Sequence, residues 1–92
     1  MIGKFRHKGL KQLYERDSAK GVQAEHADRL RRILTNLDVA MQAADLDLPG
    51  YKLHPLKGKR RGEWSIWVSG NWRVTFRFDG ADVTDVDYED YH

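Results

Sequence analysis

The 92-residue chain contains no cysteine. That excludes disulfides and thiolate metal sites, and it fits a reducing cytosol. Without cross-links, a domain this small depends on one compact apolar core for its stability. The N-terminal stretch MIGKFRHKG has no long apolar run, so neither a secretory signal nor a membrane span is expected, and the implied location is cytoplasmic. No repeat, low-complexity tract or linker interrupts the sequence, so residues 1–92 read as one domain. The four histidines, His7, His26, His54 and His92, lack the paired spacing of metal ligands, and no metal or other cofactor is expected. Nothing resembles a helix-turn-helix DNA reader.

What is present is segregated charge. Residues 52–77 carry seven Lys or Arg against one acid, Glu63, while residues 79–90 carry six acids and no base. The net charge of +2 hides this division. The basic block is either a footprint for an anion or nucleic acid, or one of two adjacent surfaces that screen each other.

Apolar residues recur first at helical spacing. Leu10, Leu13 and Tyr14 predict a helix over 8–16, and Gly21 interrupts it. From Gln23 to Ala44, the series Ala27, Leu30, Ile33, Leu34, Leu37, Ala40, Met41 and Ala44 predicts a long amphipathic helix that ends before Pro49-Gly50. MIGKF is too short to assign on pattern, though it suits a strand.

The period then changes to two. Trp64, Ile66 and Val68 share one face of a strand; Trp72, Val74, Phe76 and Phe78 share one face of the next. Ser69-Gly70-Asn71 between them suits a tight hairpin, and DVTDVDYEDYH after Asp79-Gly80 forms a third run. The architecture expected is α+β: two N-terminal helices on one face of a small, mainly antiparallel sheet. Arg73 and Arg77 fall on the opposite face, which is expected to meet water. Trp67 also falls there, where it either stacks on a base or covers the open sheet.

The stretch HPLKGKRRG joins directly to these strands. His54 and Lys57 can therefore approach the face that carries Arg73, and the last run ends in Asp90, Tyr91 and His92. Imidazoles, a carboxylate, a phenol and fixed cations are the ingredients of acid–base phosphoryl transfer on RNA, which supplies its own 2′-hydroxyl nucleophile. Each residue also has a plain alternative: a solvated loop cation, an arginine paired with an acid of the last strand, a histidine at a chain end.

The block YKLHPLKGKRRGEWSIWVSGNWRVTF, followed by VDYEDYH, resembles the HigB toxins of the RelE superfamily. The resemblance runs the full length, including the start MIGKFRHKGLKQLYE; the region from Arg16 to Leu48 departs most from the pattern. It implies the microbial ribonuclease (RelE-like) fold. It also implies a metal-independent endoribonuclease that enters the vacant decoding site of a translating ribosome, cuts the codon there and arrests growth. The family's catalytic residues map onto His54, Lys57, Arg73, Asp90, Tyr91 and His92. Lys57 and Arg73 would hold the phosphate, while Lys59, Arg60, Arg61 and Arg77 would add grip on RNA and ribosome. The implied partners are the ribosome with its message and a HigA-like antitoxin. That antitoxin carries the helix-turn-helix domain, so operator DNA is reached only through it. A non-catalytic RNA- or ribosome-binding module, and an interaction protein that docks a partner on its long helix, remain the competing functions.

Overall fold

A computed structural model describes residues 1–91; His92, expected in the site, lies outside the described residues. Helix α1 spans Lys8–Arg16 and buries Gly9, Leu10 and Leu13. His7 caps it, its Nδ1 accepting the Leu10 N–H at 3.0 Å. Asp17 ends it in the left-handed conformation, with its N–H returned to the Gln12 and Leu13 carbonyls. Helix α2 spans Ala27–Val39, preceded by a 3-10 turn over Ala24–His26, and buries Ala27, Leu30, Ile33, Leu34 and Leu37.

The strands are β1 (His54–Pro55), β2 (Glu63–Ser69), β3 (Trp72–Asp79) and β4 (Asp82–Asp90), in that order across one antiparallel sheet. Ile66, Val68, Val74, Phe76, Val83, Val86 and Tyr88 meet the helix stripe in a single core, with Trp64 and Trp72 packed at its margin. The N-terminal segment lies parallel to β4 through Ile2–Val83 and Phe5–Val86 bridges and so covers that edge. Both helices and the antiparallel sheet are as expected.

Two expectations need correction. The second helix stops at Val39 rather than Ala44, because Ala40 turns extended at ψ 138°. A separate 3-10 turn, Ala43–Leu46, follows, and the Asp45 carboxylate accepts the N–H groups of Met41 and Gln42. Met41 and Ala44 are consequently exposed, and Leu46 enters the core instead. Nor is the far face of the sheet open to water. Ser65, Thr75 and Glu63 on it are at most 3% exposed, because a 3-10 turn at Gly58–Arg60 lays Arg60 across them.

One close approach fixes α1 against the loop after it. A Cβ added at Gly9 would overlap the Gly21 carbonyl, which is backbone and cannot swing aside. An alanine in a helix interior normally gains up to about 1 kcal/mol over glycine. Overpacking a tight contact costs about 1–3 kcal/mol, so the clash outweighs propensity. Gly9→Ala is expected to lower stability by about 2 kcal/mol in urea denaturation; an unchanged or raised midpoint would show that the loop yields.

Candidate active site

Directly opposed residues of an antiparallel ladder project from the same face. One row on the face away from the helices runs His54, Ser65, Thr75 and Asp87; the next runs Trp67, Arg73 and Glu89. Tyr91 continues the alternation two residues beyond Glu89, with its N–H donated to the Asn71 carbonyl at 2.8 Å. Tyr91 is therefore a diagonal neighbour of Arg73, about 7 Å away across the pleat.

His54, Pro55, Leu56, Lys57 and Tyr91 line a hollow of about 270 Å³ at the sheet edge. Three of the expected catalytic residues thus converge, although β1 is only two residues long. The Leu56 N–H donated to the Glu63 carbonyl at 2.8 Å ties this segment to β2. The His54 ring places Nδ1 3.1 Å from the Lys52 carbonyl. A carbonyl only accepts, so in that bond Nδ1 carries the proton and Nε2 is the ring nitrogen that faces other partners.

Arg73 is half-buried, and its Nε and Nη1 are enclosed without a hydrogen-bond partner among the described residues. Enclosed guanidinium N–H groups left unpaired are costly, and they match the oxygens of a phosphate. The other arginines of this face are engaged. Arg77 donates to the Arg61 carbonyl at 3.2 Å and lies 3.7 Å from Glu63 and 3.9 Å from Asp85. Arg60, expected among the gripping cations, is instead the hub of a network. It meets Glu63 at 2.9 and 3.1 Å, Glu89 at 2.7 and 2.8 Å, and Thr75 at 3.4 Å. The guanidinium holds both carboxyls below the usual carboxylate range, and their hydrogen bonds, that of Glu89 first, push Arg60 further up. Lys57, Lys59 and Arg61 are exposed.

Asp90 stands apart from the hollow. It pairs with Trp72, and pleat alternation sets it on the side of Tyr88 and Trp72 rather than that of Tyr91. Trp67 donates from Nε1 to the Gly70 carbonyl, and its ring lies under Lys52 at 4.3 Å and Arg29 at 5.4 Å. Sequence reasoning passed over Glu63, Thr75 and Glu89; its one signal was that Glu63 is the only acid in the basic block. A larger hollow, 410 Å³, lies between the helices. Its polar groups pair with one another, Arg31 on Asp17 and Tyr14 on Asp38, each at 2.7 Å. Among the described residues no three His, Asp or Glu side chains gather as metal ligands would, and no helix is long and apolar enough to cross a membrane.

Comparison with known proteins converges on one family. Residues 3–92 match the model of the HigB-like toxins, described as RelE-like toxins of the type II toxin–antitoxin system HigB. The chain is 49% identical over 92 residues to Endoribonuclease HigB of Proteus vulgaris, covering the whole length of both. A toxin of a type II system works against an antitoxin, so membership implies that partner. On the match of residues 3–92, this chain belongs to the HigB-like family of RelE-like toxins.

Proposed function

We propose that this toxin is a ribosome-dependent endoribonuclease that cuts messenger RNA at the codon in the decoding site. The observation that carries the proposal is Arg73: a guanidinium with two enclosed nitrogens that find no partner among the described residues, on the sheet face that carries a hollow lined by His54, Lys57 and Tyr91. The endoribonuclease name of the Proteus relative supports the same reaction class. In the reaction the 2′-oxygen bonds to the adjacent phosphorus, the bond from phosphorus to the 5′-oxygen breaks, and a 2′,3′-cyclic phosphate remains. Arg73 and Lys57 bind the phosphate and stabilise the charge that builds on its oxygens. His54, whose Nδ1 is held by the Lys52 carbonyl, takes the 2′-hydroxyl proton through Nε2. His92 returns a proton to the 5′-oxygen. Tyr91 positions the ribose or base, and Asp90, from the other side of the strand, orients the chain end.

Lys59 and Arg61 add electrostatic grip on ribosomal RNA, which weakens as salt rises. Arg77 contributes less, since Glu63 and Asp85 already offset its charge. The site relies on the ribosome to order its substrate, so free message is a poor one. The partner is a HigA-like antitoxin with a helix-turn-helix domain, operator DNA is bound through that antitoxin, and the toxin acts in the cytoplasm.

The test is a cleavage assay on purified ribosomes with a defined codon in the decoding site and free message as control. Ribosome-dependent cutting that leaves a cyclic phosphate is the expected result. Ribosome binding without cutting would make the chain a binding module, and equal cutting of free message would remove the ribosome from the mechanism.

A further inference from the structure

Arg60 is tied along both edges of its guanidinium. Nε and Nη2 face the Glu63 carboxylate, and Nη1 and Nη2 face that of Glu89. Four of the five N–H donors of this planar fork are committed to the two carboxylates, which fixes its plane and presents its flat faces for stacking. The Tyr91 ring lies against one of them, 5.4 Å from Cζ to the ring centroid. The fork itself is anchored in the sheet, because Glu63 is 3% exposed and Thr75, at 0%, donates to Glu89 at 2.6 Å. Tyr91 lines the hollow with His54 and Lys57 but follows the last residue of β4, where the ladder ends. Its backbone bond to Asn71 fixes the main chain and leaves the ring free to turn about its own side-chain bonds. The stack on Arg60 supplies the constraint that the backbone cannot.

We propose that Arg60 is a positioning residue for Tyr91: its carboxylate-locked guanidinium face holds the phenol ring over the His54–Lys57 hollow. This inference rests on the ribonuclease function proposed above. It also reassigns Arg60, whose charge two carboxylates already neutralise, from gripping the ribosome to shaping the site.

Arg60→Lys is the informative variant. An ammonium keeps a positive charge between Glu63 and Glu89, so the fold is retained, but it has neither the second edge nor the flat face. At saturating programmed ribosomes, single-turnover cleavage is expected to fall about tenfold, with ribosome affinity within about twofold of the parent. Ring-proton shifts of Tyr91, followed by NMR in the free protein, should move toward those of an unstacked tyrosine. Cleavage at the parent rate, or affinity that falls in step with rate, would overturn the proposal. So would an unchanged Tyr91 spectrum, which would place any lost activity elsewhere. If the parent itself does not cut, the ribonuclease assignment fails on its own, and the spectrum still decides whether Arg60 holds the ring.

Discussion

Arg73→Ala is expected to reduce cleavage of programmed ribosomes about 10²–10³-fold, the usual effect of removing one preorganised donor from a developing oxyanion. The same change is expected to leave the fold as stable as the parent or more so. Arg73 encloses Nε and Nη1 without partners among the described residues, and unpaired enclosed donors cost about 1–3 kcal/mol each. A residue kept for the fold shows the opposite pattern, in which activity and stability fall together. Side-by-side cleavage rates and thermal midpoints separate the two. Arg73→Lys should recover only part of the rate, because a point charge cannot meet two phosphate oxygens as a fork does. Cleavage within about threefold of the parent in Arg73→Ala would remove this residue from the site.

How much of this could be read from the chain depended on how local each signal was. The hairpin between β2 and β3 announces itself through alternation on either side of Gly70, although an irregularity between Trp67 and Ser69 shifts the register beside the turn. The end of α2 was misjudged because Ala40, Met41 and Ala44 continue a helical spacing that the backbone has already left. The pairing of Gln42 with Asp45 was the available stop signal, being the start of another helical turn. His54, Lys57 and Tyr91 were nominated from the sequence, and the hollow brings them together. Asp90 was nominated with them, yet one step along a strand reverses the face, and it points away from its neighbour.

Charge counting failed most where it was coarsest. From the sequence, the basic and acidic segments read either as a nucleic-acid footprint or as two surfaces screening each other. The ion pairs bear out the screening reading for part of the basic block. Arg60 and Arg77 are spent on Glu63, Glu89 and Asp85, whereas Lys57, Lys59 and Arg61 remain exposed. Arg60 and Glu89 lie 29 residues apart, and no spacing rule links them. Only the antiparallel register of β4 against β3 carries Glu89 to the place where the turn after β1 delivers Arg60.

That network makes a second large effect predictable. Arg60→Ala should destabilise the fold by about 3 kcal/mol at neutral pH, because it strands partly buried carboxylates. Glu63 keeps Arg6 and Arg77, each at 3.7 Å. Glu89 keeps the Thr75 hydroxyl but loses both Arg60 hydrogen bonds, so most of the loss falls on Glu89. The sign of the pH dependence follows from the depressed carboxyls of Glu63 and Glu89. In the parent their stabilisation is fully present above the unfolded carboxyl pKa of about 4.3, and it drains away as pH falls through the lower folded values. Without Arg60, burial pushes the Glu89 carboxyl upward instead, so protonation relieves the variant in the range where the parent begins to lose stability. The difference between the two proteins should therefore be largest near neutral pH and shrink as pH falls through about 5 and below. Urea denaturation across that range measures it. A difference constant with pH would mean that the loss comes from packing of the Arg60 stem rather than from its charge.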